Sequence, residues 1–185
     1  MKLKEAFREL LQSTQVSKLE MQRIQGLSAF ASQILPSGKL HVHSFARALR
    51  RLANMQEEER THITEEIRAD LLWWSNELNL SMTADLWNSE PEISIWTDAS
   101  NQGFGAHSSS GLAIRGEWSL QESLLHINSK ELLAVIKAVE SELVPENRGV
   151  RVSTDNLPTF FAMKNQGSNK SENLQRLSKQ LFLIL

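Results

Sequence analysis

The sequence contains no cysteine and no tyrosine among its 185 residues. Without cysteine the chain cannot form disulfides, thiolate zinc sites or a cysteine nucleophile. Without tyrosine it cannot use any mechanism that needs a phenolic hydroxyl. A metal site in this chain must therefore use oxygen or imidazole ligands, and its aromatic burial rests on Trp and Phe.

Long apolar runs and an excess of positive charge are also absent. No stretch approaches the roughly 18 consecutive apolar residues of a membrane span, and charged residues follow Met1 in place of the apolar core of a signal peptide. We therefore expect an intracellular protein of the cytoplasm or nucleus that is not secreted and has no membrane partner. With 20 Lys and Arg against 22 Asp and Glu, any binding of nucleic acid must be local rather than driven by net charge.

Apolar residues recur at helical spacing as far as residue 88. The stripes include Phe7 with Leu10, Met21 with Ile24, and further pairs before a helix that Thr64 is expected to cap. This pattern predicts an all-α segment over residues 1–88. Asn88-Ser89-Glu90-Pro91 then reads as a polar connector to a second domain, residues 92–185.

From residue 92 the period changes to the alternation typical of strands. Three short alternating segments precede a long apolar-faced helix that begins near Ser129, and a strand at 150–153 precedes a helix with Pro158 in its first turn. The predicted order is β-β-β-α-β-α, which describes an α/β domain. Its first three strands form a small antiparallel sheet.

Three carboxylates occupy chemically suggestive positions in this pattern. Asp98 ends the first strand, Glu131 lies near the start of the long helix, and Asp155 ends the fourth strand. If the first and fourth strands are neighbours, the three side chains meet at one end of the sheet.

Clustered carboxylates repel one another, and hard divalent cations such as Mg²⁺ relieve that repulsion. Two such ions about 4 Å apart catalyse phosphodiester hydrolysis. Strand-end Asp and helix-start Glu are also common capping residues, so spacing alone leaves a structural role open.

Several short motifs in residues 92–185 match one family in order along the chain. They are Thr97-Asp98-Ala99-Ser100, Gly103-Phe104-Gly105-Ala106, Gly116-Glu117-Trp118-Ser119, His126 to Ala134, Thr154-Asp155-Asn156, and the Gln166-Gly167 turn before Ser171. Through them the chain resembles the ribonuclease H domain, most closely that of DIRS-type (tyrosine-recombinase) retrotransposon reverse transcriptases. Each motif is weak alone, but the ordered series is specific.

The resemblance implies an α/β ribonuclease H-like fold with a mixed sheet. It implies that Asp98, Glu131 and Asp155 are catalytic and metal-binding residues, with Asp98 bridging two Mg²⁺ ions, for which Mn²⁺ could substitute. The substrate would be the RNA strand of an RNA/DNA hybrid, recognised by its shape and 2′-hydroxyls. Residues 1–88 more loosely resemble a polymerase thumb or connection segment, where Arg47, Arg50 and Arg51 could contact phosphates. The remainder of the reverse transcriptase polyprotein would be a partner.

Two features depart from the complete family pattern. The family's fourth acidic residue follows a fifth strand that this sequence does not contain, and the sequence stops on the apolar run Leu181–Leu185. We therefore expect either a domain that is truncated at its C-terminus or a chain with an obligate partner. Two alternatives to an active nuclease remain open. One is a non-catalytic ribonuclease H-like scaffold that binds nucleic acid or a polymerase, and the other is a helical interaction protein whose three carboxylates only cap.

Overall fold

The computed structural model describes residues 2–56, 59–80 and 90–185. The chain divides into two compact units, Met1–Asp85 and Leu86–Leu185, and the described residues form a mixed α/β structure. No helix within the described ranges is both long enough and apolar enough to cross a membrane.

The first unit is built mainly from helices. These are α1 (Lys2–Leu11), α2 (Lys18–Ala31), α3 (His43–Arg51), α4 (Glu65–Ser75) and α5 (Glu77–Leu80), with a 3-10 turn at Gly38–His41 before α3. Thr64 caps α4 as predicted, because its hydroxyl accepts a hydrogen bond from the Ile67 N–H. In the core, the buried rings of Phe7 and Trp74 stack with centroids 5.6 Å apart.

The prediction that this first segment is all-α is wrong in one respect. Strands β1 (Gln15–Ser17) and β2 (Arg60–His62) pair antiparallel within the unit. Each strand has three residues, which is too few for an alternating apolar pattern to be visible in the sequence. Residues 88 and 89 of the predicted connector, including the expected boundary, lie outside the described residues.

The second unit contains a four-stranded sheet and the helices that follow its strands. Its elements are β3 (Ile93–Ala99), β4 (Gly103–Ser108), β5 (Ala113–Glu117), α6 (Leu120–Ser123), α7 (Ile127–Val139), β6 (Val150–Ser153), α8 (Leu157–Lys164) and α9 (Glu172–Ile184). The strand order is β5-β4-β3-β6. The first three strands are antiparallel, as predicted, and β6 runs parallel to β3.

The predicted order omits two helices of this unit. The single turn α6 is too short to show helical periodicity, and α9 is separated from α8 by the Gln166-Gly167 turn, where both residues have positive φ. Helix α7 packs its broad apolar face on the sheet, and Leu132 and Ile136 are fully buried. Leu181 of α9 is buried in this core, whereas Leu183 and Leu185 are exposed.

Candidate functional site

The fold brings the three predicted carboxylates together. Asp98 is on β3, Glu131 is on α7 and Asp155 follows β6, and one carboxylate oxygen of each lies within 4.8 Å of the others. Asp98 and Asp155 are exposed, whereas Glu131 is 5% exposed. Within the described residues this is the group of acidic or imidazole side chains with the geometry of a metal site.

The topology explains why residues so far apart in sequence meet. Strands β3 and β6 are parallel neighbours in which Trp96 pairs with Ser153, so Asp98 and Asp155 both lie two residues beyond a matched pair at the same end of the sheet. Helix α7 crosses the sheet in contact with β3, and its early turns place Glu131 beside the two aspartates.

The surroundings of Glu131 disfavour the charged form of its carboxyl group. Burial raises the pKa of its carboxyl to about 7, and the negative charges of Asp98 and Asp155 act in the same direction. A hydrogen bond from the backbone N–H of Ala99 partly opposes the rise. The Oε2 atom is buried and has no hydrogen-bond partner in the described structure. A buried carboxylate oxygen of this kind is costly unless a cation or a donor satisfies it.

Asn128, Asn156 and Thr159 hold the starts of α7 and α8 together beside the cluster. Asn156 Nδ2 donates to Asn128 Oδ1 at 3.1 Å, and the buried Thr159 hydroxyl donates to the Asn128 carbonyl at 3.2 Å. Asn156 Oδ1 also caps α8 by accepting from the Thr159 N–H at 2.9 Å. We call these three residues the asparagine clasp. The sequence patterns predict no role for these three residues, although Asn156 directly follows Asp155 and has the residue type of an N-cap.

The turn after β3 is fixed on the other side of the cluster. Lys130 is 3% exposed, and its Nζ donates to the Asn101 carbonyl at 3.3 Å. Trp118 Nε1 donates to the Ser100 carbonyl at 2.9 Å. These long-range contacts anchor the chain that leads out of Asp98, and local sequence patterns carried no signal for them.

The predicted basic contacts of the first unit are not equivalent. Arg47 is buried and forms an ion pair with Glu66, so it is unavailable to a phosphate, whereas Arg50 and Arg51 are exposed. Burial of Arg47 follows from its position on the apolar side of α3, next to the buried Ala48.

An open groove of about 590 Å³ adjoins the carboxylates on the β3-β4-β5 part of the sheet. It shares Asp98 with the cluster. Its other lining residues are Ser100, Gln102, Gly103, Phe104, Gly105, Arg115, Gly116 and Glu117. The cluster is therefore open to a large ligand rather than enclosed.

No family model matches the chain, and no curated protein matches it. Among solved structures, the chain is similar to a foamy viral protease-reverse transcriptase, dRH, in complex with double-stranded DNA. The two are 17% identical, the match covers 83% of this chain and 27% of that chain, and the TM-score is 0.34. This chain spans about a quarter of that protein's length, and the TM-score is too low to establish a shared fold.

Proposed function

We propose that the second unit is a ribonuclease H-like domain that hydrolyses the RNA strand of RNA/DNA hybrids. The observation that carries the proposal is the convergence of Asp98, Glu131 and Asp155, whose carboxylate oxygens lie within 4.8 Å of one another. The ordered motifs around them and the mixed sheet with β6 beside β3 support the same family assignment.

The donor set of the cluster fits magnesium. Three carboxylates on separate elements offer only hard oxygen ligands, and Glu131 Oε2 is a buried oxygen without a partner in the described chain. Asp98, Glu131 and Asp155 would hold two Mg²⁺ ions, or Mn²⁺ in their place. Magnesium bound there would supply activation of water and stabilisation of the leaving oxygen.

The chain's own residues then have distinct tasks. The exposed carboxylates of Asp98 and Asp155 face the solvent from which substrate arrives, whereas buried Glu131 must lose its proton before it can act as an anionic ligand. The asparagine clasp keeps Asp155 close to Glu131. We further propose that the chain derives from a DIRS-type reverse transcriptase, that the first unit is its thumb or connection segment, and that the rest of that polyprotein is its partner.

Cleavage of a labelled RNA/DNA hybrid in Mg²⁺ or Mn²⁺ tests this function. The full chain is compared with Asp98→Asn, with Glu146→Gln as a control for loss of one exposed carboxylate outside the cluster, and with single-stranded RNA as a substrate control. We expect cleavage of the hybrid alone, lost in Asp98→Asn and kept in Glu146→Gln. Equal cleavage by Asp98→Asn would contradict the proposal.

A second candidate is a non-catalytic ribonuclease H-like scaffold that binds nucleic acid or a polymerase. The observation that favours it is that the cluster in the described residues has three carboxylates, one fewer than the set the family resemblance implies. The same experiment separates the two. A folded chain that binds the hybrid without cutting it in either metal identifies the scaffold.

A further inference from the structure

The groove beside the carboxylates has a floor without side chains at its centre. Asp98 of β3 pairs with Gly105 of β4, and Gly105 pairs in turn with Arg115 of β5. Directly opposed residues on neighbouring strands project from the same face of a sheet. Asp98, Gly105 and Arg115 thus form one row across the sheet, in which a carboxylate and a guanidinium flank a glycine.

The fold itself does not require glycine at position 105. A Cβ built on Gly105 has the Ile114 carbonyl oxygen, at 3.9 Å, as its one neighbour within 4 Å, and the backbone there has no positive φ. By contrast, a Cβ on Gly103 would lie 2.2 Å from the Gly116 carbonyl oxygen, and one on Gly116 would lie 2.6 Å from the Phe104 ring. Packing explains Gly103 and Gly116, so the open space above Gly105 needs another explanation.

Arg115 provides a cation at the far side of this open space. Its side chain is exposed and makes no ion pair or hydrogen bond with any residue that the structure describes. Neighbouring strands are about 4.8 Å apart, so the backbone of Arg115 lies about 10 Å from that of Asp98. Nucleotides rise about 3.4 Å each along the axis of a duplex. Successive phosphates of one strand are further apart than this rise because the strand also winds around the axis, so the span covers at most about three nucleotides.

We propose that one strand of a nucleic acid crosses the groove over Gly105, with Arg115 binding a phosphate within about three nucleotides of the phosphate at the carboxylates. This inference rests on the proposed function, because it takes the carboxylates as the place of reaction. Guanidinium groups bind phosphate oxygens through two parallel hydrogen bonds. Glu117 lies two residues beyond Arg115 on β5. Its negative charge would repel the phosphates of a nucleic-acid strand that lay outside the row formed by Asp98, Gly105 and Arg115.

Binding of a labelled RNA/DNA hybrid tests the inference, with Ca²⁺ replacing Mg²⁺ so that binding is measured apart from cleavage. Arg115→Gln removes the cation, and Gly105→Val fills the floor with a residue that strands favour. Arg151→Gln is the matched control, since Arg151 is also an exposed arginine on a strand but does not line the groove. It lies opposite Ser94, and its Nη2 is 3.5 Å from Oε2 of Glu90.

We expect Arg115→Gln to weaken hybrid binding about tenfold and to reduce the slope of log affinity against log salt by about one. Gly105→Val should weaken binding at least tenfold, while Arg151→Gln binds as the wild type does. Mn²⁺ affinity and the melting temperature should be unchanged in Arg115→Gln and Gly105→Val, which we call the groove variants. Gly105→Ala gives the same test with a smaller side chain if the valine lowers the melting temperature.

Three results overturn the inference. If Arg115→Gln or Gly105→Val binds the hybrid with wild-type affinity, the inference is wrong but the proposed function stands, because the metal site and hybrid binding persist. If Arg151→Gln weakens hybrid binding as much as Arg115→Gln does, the inference is also wrong, because the loss would then reflect general charge. Failure of the wild type itself to bind the hybrid overturns the proposed function, and the inference with it.

Discussion

Glu131 keeps its proton at a pH where an exposed glutamate has lost it, because it is buried beside Asp98 and Asp155. Its pKa is about 7 in the folded chain against 4.5 for the free side chain. Between these values the folded state binds a proton that the unfolded state has released. The stability that this proton provides is complete below about pH 4.5 and is lost as the pH rises through 7.

Glu131→Gln tests this pH dependence. Without metal, the free energy of unfolding of the wild type should fall relative to that of the variant by about 3 kcal/mol between pH 4.5 and 8, as measured by urea unfolding. The difference should disappear when millimolar Mg²⁺ is added to the wild type at pH 8. A constant difference across this pH range would show that Glu131 titrates normally.

Substitutions of Asn156 can distinguish its role as the cap of α8 from its role in the clasp that positions Asp155. In Asn156→Ser the hydroxyl still accepts from the Thr159 N–H, so stability should stay within about 0.5 kcal/mol, but the amide donor to Asn128 is lost. Partners that position metal ligands typically affect metal affinity by about 10- to 100-fold. We therefore expect Mn²⁺ affinity to fall about tenfold, as measured by calorimetry.

Asn156→Ala is the comparison for that prediction. It removes the cap as well, so it should also lower the free energy of unfolding by about 1 kcal/mol. Unchanged Mn²⁺ affinity in both variants would limit the clasp to a structural role.

At the scale of residues, the sequence could predict that the three carboxylates meet, but not what surrounds them. Asp98, Glu131 and Asp155 lie at element ends that can be recognised from local patterns. The raised pKa of Glu131, the contact of Lys130 with Asn101, and the bonds from Asn156 and Thr159 to Asn128 all depend on residues 24 or more positions apart. No local pattern encodes such contacts.

At the scale of elements, the β4-β5 hairpin depends on the close approach of Gly103 to Gly116. A Cβ at position 103 would lie 2.2 Å from a backbone carbonyl oxygen, so the strands would have to separate. Gly103→Ala should lower the free energy of unfolding by about 2 kcal/mol or more. Gly105→Ala, on the same strand, should leave it within about 0.5 kcal/mol. Thermal and urea unfolding of the two variants would show equal effects if the predicted backbone contact is absent.

Elements with strong periodicity were predictable, and short ones were not. Helices α2, α4 and α7 have apolar stripes or caps that mark them in the sequence, and the alternation of Ile93, Ile95 and Thr97 marks β3. Strands β1 and β2 depend on pairing between residues 43 to 47 positions apart, so tertiary contact rather than local pattern forms them.

At the scale of the whole molecule, the two units have separate cores, and only the second contains the carboxylates. A ligand that binds the folded site stabilises the structure around it. Millimolar Mg²⁺ at pH 8 should therefore slow hydrogen exchange in β3, α7 and β6 but not in α2. Mass spectrometry of exchanged peptides measures both in one sample. Equal protection of α2 would point to a general salt effect.

The sequence predicts a two-part organisation from a change of hydrophobic period near residue 90. The described residues of the first unit carry helical spacing, and those of the second begin with alternation. The meeting of the carboxylates could be predicted only on the assumption that β3 and β6 are neighbours. No local pattern shows that the strand after α7 pairs with the first strand of this unit.

Titration of the full chain with Mn²⁺ by calorimetry at pH 7.5 tests most directly whether Asp98, Glu131 and Asp155 form a cation site. We expect saturable binding in the wild type and in Glu146→Gln, and affinity at least tenfold lower in Asp98→Asn. Absence of saturable binding in the folded wild type, or equal binding in Asp98→Asn, would contradict the assignment of these carboxylates as a metal centre.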